Sequence, residues 1–385
     1  LNAGITPIVH EHGSLGCSGD LAPLAHCALA LIGEGPVRDA KGDLREAADA
    51  LAEAGIQPVT LGAKEGLALL NGTDGMLGML VMAIHDLRKL YTAADLAAAM
   101  TVEALLGTDR VFAADLQALR PHPGQGLSAA NLRALLADSA IMASHRGPDC
   151  TRVQDAYSLR CAPQVNGAAR DTLAHAELVA SRELASAVDN PVVLPDGRVE
   201  SNGNFHGAPV AYVLDFLAVP TADVASMSER RTDRLLDKAR SFGLPPFLAD
   251  DPGVDSGLMI AQYTQAAIVS ELKRHAVPSS ADSIPSSAMQ EDHVSMGWNA
   301  ARKLRKAVDG LTQVVAIEIM AAARALELRS PLRAGPATGA VVAKLRERVP
   351  GPGPDRHLAP EIAASTELVR DGSLVTAAES VTGPL

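Results

Sequence analysis

The chain has 385 residues, 47% of them hydrophobic, enough to bury a substantial core as two or three domains or as one large helical assembly. A formal net charge of -11 with no basic cluster argues against a nucleic-acid partner and favours a small polar substrate. Four cysteines (Cys17, Cys27, Cys150, Cys161) without a CxxC pair argue against a disulfide framework and for a reduced, cytoplasmic setting; no membrane span or signal peptide is read from the sequence.

Aromatic residues make up only 3% and alanine and leucine abound, a mixture that favours helices because such side chains lose little freedom there. Leu1-Asn2-Ala3-Gly4 reads like the interior of a longer protein. A turn-rich stretch, Gly13-Ser14-Leu15-Gly16-Cys17-Ser18-Gly19-Asp20, leads into an apolar run over 21–32 that ends at Gly33 and Gly35. The stretch 35–58 is expected to hold a short hairpin and a surface helix. From Thr73 onward the pattern is helical: Met76, Leu77, Leu80, Ile84 and Leu87 fall on one face at three- and four-residue steps. Similar segments are expected over about 93–106, 128–143, 167–187, 207–239 and 256–276, with Pro220 kinking or dividing the fourth. The clearest lies within 293–329, where Leu304, Val308, Leu311, Val315, Ile319, Ala322 and Leu326 form a stripe. A helix that long needs neighbours, so the expected class is mainly α, a bundle of long helices with a loop-rich site region. Residues 1–72 are read as an N-terminal part and 73–385 as the helical bundle of a single region, 1–385. The polar connectors 144–166 and 189–206 are where site residues are expected, and the loop 350–354 is expected to be stiff and exposed.

Four chemistries compete for the turn at residues 13–20. A phosphate loop lacks the terminal Gly-Lys-Ser/Thr and a preceding strand. A thiol nucleophile at Cys17 has only sequence proximity to His10, His12 and His26 in its favour. A metal site from His10, His12 and Cys27 matches no common ligand spacing, so no metal is expected. The fourth chemistry uses the backbone. In a tight turn ending in glycine, the glycine nitrogen can approach the carbonyl carbon two residues earlier, and a side chain there would block it. Ring closure with loss of the serine hydroxyl would leave a methylidene-imidazolone. As a plain alternative, Ser18 or Asp20 simply caps the following helix.

The run Gly16-Cys17-Ser18-Gly19-Asp20-Leu21-Ala22-Pro23-Leu24-Ala25-His26 resembles the signature of the aromatic amino acid ammonia-lyases, with cysteine where that family usually has alanine. The resemblance implies a fumarase/aspartase-like helical architecture and a methylidene-imidazolone formed autocatalytically from Cys17, Ser18 and Gly19, with no external cofactor. Further blocks agree. In Leu69-Leu70-Asn71-Gly72-Thr73, Asn71 would hold the prosthetic group or the substrate carboxylate. In Gln154-Asp155-Ala156-Tyr157-Ser158-Leu159-Arg160-Cys161, the resemblance gives Gln154, Tyr157 and Arg160 roles in binding and orienting substrate, supplied from a neighbouring subunit. In Ser201-Asn202-Gly203-Asn204-Phe205-His206-Gly207, Phe205 would pack near the electrophile, while His206 is read as a capping or structural histidine. Gln290-Glu291-Asp292-His293-Val294-Ser295-Met296 resembles the histidine-specific branch, in which Glu291 would face the imidazole.

The activity implied is elimination of ammonia from L-histidine to give trans-urocanate by a cytoplasmic homotetramer with shared sites. The alternatives are a phenylalanine or tyrosine ammonia-lyase or aminomutase, or a non-catalytic homologue. In the family the base is a tyrosine on an N-terminal loop, and neither it nor its neighbouring histidine has a counterpart in these residues. The 385 residues alone are therefore expected to be inactive or nearly so, which growth of urocanate absorbance would refute.

Overall fold

A computed structural model of the chain describes residues 1–147, 150 and 153–385. It is mainly helical, as the composition requires. It divides into two compact units, each drawn from three stretches: Leu1–Met82, Ala176–Asp215 and Pro278–Lys303 in the first, and Ala83–His175, Phe216–Val277 and Leu304–Leu385 in the second.

In the first unit the expected hairpin pairs Pro36–Arg38 antiparallel with Leu44–Glu46, and Thr6–Pro7 adds a third short strand. The surface helix follows as Ala47–Glu53. Val37, Ala30, Ala47 and Ala50 bury a small core there, with Ile5 packed against it. The apolar run becomes the helix Leu21–Leu31, and Gly33 takes a φ of +81° just past its end, as helix stops commonly require. A second small pair joins Val192–Val193 to Val199–Glu200.

Several helices are longer or differently bounded than the periodicity suggested. The segments over 76–87 and 93–106 belong to one helix, Asp74–Ala104, because no proline or glycine cluster separates them. The segment 128–143 is instead two helices, Pro123–Leu135 and Ala140–Ala143, with Ser139 capping the second through Met142 N at 3.0 Å. Ala162–Leu184, Ala208–Leu236, Met259–His275 and Gly297–Glu327 match the remaining expectations to within a few residues.

Pro220 does not divide Ala208–Leu236. The lost backbone hydrogen bond is outweighed by burial on both sides, at Leu217, Ala218, Ala222, Val224 and Ala225. By length and composition alone this helix is apolar enough to cross a membrane, a point the sequence reading did not anticipate. Much of it is buried in the protein, and its Arg231 is paired with Glu318 in the core of the second unit. In Gly297–Glu327 the predicted stripe is buried throughout, and so are Val314, Ala316, Ile317, Ala321 and Ala323 beside it. Apolar burial on several faces makes its 304–327 stretch part of the core of the second unit.

Candidate active site

The turn at residues 13–20 lies in the first unit. Gly16, Ser18 and Gly19 all take positive φ, at +71°, +56° and +84°. A serine in that region costs about 1–2 kcal/mol, so its surroundings must hold it there. Hydrogen bonds to its backbone do so. Gly16 O accepts from Gly207 N at 3.0 Å and from Ser295 Oγ at 2.5 Å. Met296 N donates to Leu15 O, and Asp20 N to Gly72 O, each at 2.8 Å. Three of the sequence blocks thus converge on the turn. They also close it: a Cβ on Gly19 would lie 2.4 Å from Leu70 O and 2.6 Å from Asn71 Cα.

Cys17 is buried, and its Sγ faces His293 O at 3.7 Å. Burial above all, with the Glu291 carboxylate adding to it, holds its thiol above the ordinary value. A buried, protonated thiol is a poor nucleophile, so the structure gives the thiol reading no support. His10 and His26 instead meet edge to face, with centroids 4.9 Å apart. Among the described residues, no group of three or more His, Cys, Asp or Glu side chains is placed to hold a metal ion.

Asp20 stands at the start of the Leu21–Leu31 helix but does not cap it with its side chain. Its carboxyl is fully buried and accepts instead from Ser14 Oγ at 2.7 Å and from Met76 N, in the first turn of Asp74–Ala104, at 2.8 Å. Burial pushes this carboxyl up to about 6, against the pull of those hydrogen bonds.

Asn71 is buried beside Gly19. Its Nδ2 donates to Asn190 O at 3.0 Å, while its Oδ1 has no partner among the described residues. Such an oxygen costs about 1–3 kcal/mol when left unsatisfied, so it marks a place built to receive a donor. Asn190 is itself fixed, its Oδ1 accepting from Asn202 N at 2.9 Å, and Lys64 pairs with the adjacent Asp189. Glu291 is half-buried near Cys17 and accepts from Ser286 Oγ at 2.8 Å. Phe205 lies half-buried on the loop before Ala208–Leu236. Next to it, His206 stacks on His293, donates from Nε2 toward His293 O at 3.3 Å and accepts from Ala208 N at 3.4 Å. Those contacts occupy both ring nitrogens and agree with a structural histidine.

Gln154, Tyr157 and Arg160 belong to the second unit. Gln154 and Tyr157 are exposed, and the Arg160 guanidinium lies 4.8 Å from the Tyr157 ring centroid, with its Nε buried and without a hydrogen-bond partner among the described residues. The single helical turn Tyr157–Arg160 is held from beneath. Ser158 O accepts from Arg231 Nη1 at 3.4 Å, and Arg231 forms a two-point pair with Glu318 at 2.5 and 2.7 Å. A cavity of about 810 Å³ lined by Gln154, Asp155, Arg160, Arg110 and His145 adjoins this turn. The structure therefore gathers Cys17, Ser18, Gly19, Asn71, Phe205 and Glu291 in one unit, and Gln154, Tyr157 and Arg160 in the other.

A profile of the aromatic amino acid lyases matches residues 1–347. The chain belongs to the aromatic amino acid lyase family. Among relatives of this lyase, the histidine ammonia-lyase of Streptomyces avermitilis is 73% identical over 386 aligned residues, covering 100% of this chain and 75% of that protein. A crystal structure of histidine ammonia-lyase from Trypanosoma cruzi matches with a TM-score of 0.90 at 41% identity, covering 99% of this chain and 72% of that one. The tyrosine aminomutase of Streptomyces globisporus matches with a TM-score of 0.93 at 38% identity, covering 100% and 76%.

Some residues that hold the turn and Asn71 in place carry no site signal in the sequence. Asn190 and Asp189 lie in a polar connector without an assigned role, and Asp20 has one only in the alternative reading, as a cap for the helix that follows it. Ser295 sat inside a recognised block without a role. Nothing in local sequence indicates that its hydroxyl closes on Gly16 O, 279 residues away.

Proposed function

We propose that this chain is the catalytic region of a histidine ammonia-lyase, which eliminates ammonia from L-histidine to give trans-urocanate, the first step of histidine degradation. The observation that carries this reading is the 73% identity along the whole chain to the Streptomyces avermitilis protein of that name. Backbone likeness alone does not choose the substrate, since a histidine lyase and a tyrosine aminomutase superpose almost equally well. Glu291 adds a chemical reason: a carboxylate beside the turn can pair with an imidazolium or accept a ring N–H, and has nothing comparable to offer a phenyl ring.

The residues present fit a methylidene-imidazolone formed from Cys17, Ser18 and Gly19. A glycine with no room for a side chain stands at the closing position, the serine is held at positive φ, and Asn71 presents a buried oxygen without a donor. Such a group supplies an electrophile that turns the substrate amine into a good leaving group.

The chain's own residues position the reactants around it. Asn71 holds the prosthetic group or the substrate carboxylate. Arg160 grips that carboxylate through parallel N–H donors, with Gln154 beside it. Tyr157 orients groups at the reacting carbon, and Phe205 packs near the electrophile and excludes water. We propose a cytoplasmic homotetramer in which the 154–160 block of one subunit serves the turn of another.

Intact-mass measurement and substrate assays test the reading together. Ring formation removes two waters, so the mass should fall about 36 Da below that of the sequence. The full-length enzyme should turn over histidine and leave phenylalanine and tyrosine untouched. An unmodified mass would place the protein among non-catalytic homologues, and turnover of tyrosine instead of histidine would sink the assignment of Glu291.

A further inference from the structure

We infer that His145 is a positioning residue for the substrate-gripping block 154–160, acting through one peptide group that it shares with Asp155. This inference rests on the functional reading above and extends it to a residue outside the assigned set.

The geometry lies wholly within the second unit. Helix Asp74–Ala104 ends where Leu106 takes a φ of +52° and Gly107 N turns back to Val102 O at 2.7 Å. The next peptide group, Gly107-Thr108, is held at both edges. His145 Nε2 contacts its carbonyl oxygen at 2.8 Å, and Asp155 Oδ2 accepts from its N–H at 2.7 Å. A planar peptide gripped on opposite edges cannot rotate without breaking both bonds. The grip is close: a Cβ on Gly107 would lie 2.9 Å from Val102 Cγ1 and 3.4 Å from Asp155 Oδ2.

His145 is equally fixed. Its Nδ1 lies 3.0 Å from Ile141 O, in the helix Ala140–Ala143. Carbonyl oxygens only accept, so a neutral ring, with its single N–H, donates to one of the two, and the Nε2–H tautomer is the one that grips Gly107 O; the helix behind the ring sets its orientation. At the other end of the chain of contacts, Asp155 is buried. It sits between Gln154 and Ala156, the residue that opens the Tyr157–Arg160 turn. Moving the Asp155 carboxylate therefore moves Gln154 on one side and Tyr157 and Arg160 on the other. Both His145 and Asp155 also line the 810 Å³ cavity with Gln154 and Arg160. A ring that anchored only its own helix would not need to reach the peptide that Asp155 holds.

The test is kinetic and is run on the full-length enzyme. His145→Leu removes the donor at similar size and should raise KM for histidine on the order of 10-fold, with kcat within about 3-fold. His145→Gln keeps one N–H toward Gly107 O and should restore KM to within about 3-fold of the wild type. If the leucine variant does not fold, His145→Asn serves, since its amide is too short to reach Gly107 O and should also raise KM. In an Asp155→Asn background, His145→Leu should add little, because the two act on one peptide group. The intact mass should keep its loss of two waters in every variant.

A folded leucine or asparagine variant with unchanged KM overturns the inference, as does a glutamine variant as impaired as leucine. Hydrogen exchange separates this from failure of the functional reading. The Thr108 amide should exchange faster in His145→Leu than in wild type whatever the substrate is, and equal exchange overturns the inference. Absence of histidine turnover in the wild type, by contrast, overturns the functional reading alone.

Discussion

Gly19 is where the chemistry of the turn is most exposed to a single atom. With φ at +84° and backbone atoms of Leu70 and Asn71 within 2.6 Å of any added Cβ, Gly19→Ala must shift the turn or the 70–71 backbone. We expect it to abolish the loss of two waters in intact mass and to destabilise the fold by at least about 1 kcal/mol in denaturant titration. A variant mass still lowered by two waters would mean that ring closure tolerates a displaced turn. Asp20 makes a second prediction, this time with pH. Its carboxyl is pushed up to about 6 by burial, above the ordinary carboxylate value near 4. The folded state therefore holds a proton that the unfolded chain releases. The associated stability is fully present below about pH 4 and is lost as pH rises through about 6, by roughly 3 kcal/mol at most. Thermal unfolding of wild type and Asp20→Asn should show their difference change across that window; a constant difference would refute the linkage. The sequence made the turn legible, because glycine spacing and the block around it carry a chemical requirement. It did not make Asp20 legible, because the helix it caps begins 54 residues later in the chain.

At the scale of elements, the buried Arg231–Glu318 pair shows how a helix contact supports a loop. Both side chains are fully buried, Thr101 adds a hydrogen bond to Glu318 at 2.8 Å, and Arg231 reaches on to Ser158 O. Removing one partner leaves a buried charge, so Glu318→Met should cost about 3–5 kcal/mol in chemical unfolding. Replacing both, as Arg231→Met with Glu318→Met, should recover most of that stability yet still raise KM, since the support under Tyr157–Arg160 is gone. A double variant as unstable as the single one would show that packing cannot substitute for the pair. The helix periods announced Gly297–Glu327 and Ala208–Leu236 well, because each buries an apolar face that repeats at helical spacing. They missed the continuity of Asp74–Ala104 and the break before Ala140–Ala143. Local pattern weakens where a helix is buried on several sides, and a serine cap is visible only once the helix it starts is known.

For the whole molecule, the proposed homotetramer is the remaining claim with a direct measurement. Sedimentation should give a species of four chains for the full-length enzyme, and mixing an Arg160→Ala enzyme with a Ser18→Ala enzyme should restore activity neither has alone. Restored turnover supports sites shared between subunits, while a stable tetramer with no complementation would argue for sites built within one chain. The sequence by itself determined the mainly helical class, the turn at residues 13–20 that we propose carries the electrophile, and the residue types around it. It could do so because backbone cyclisation demands a specific tripeptide and helices demand a specific period. Only the tertiary structure decided which distant groups hold that turn: Ser295 and Gly207 on Gly16, Asn190 behind Asn71, Met76 on Asp20. Those contacts join residues scores to hundreds of positions apart, and each rests on a hydrogen bond to backbone, which is the same in every residue and leaves no signature in the sequence.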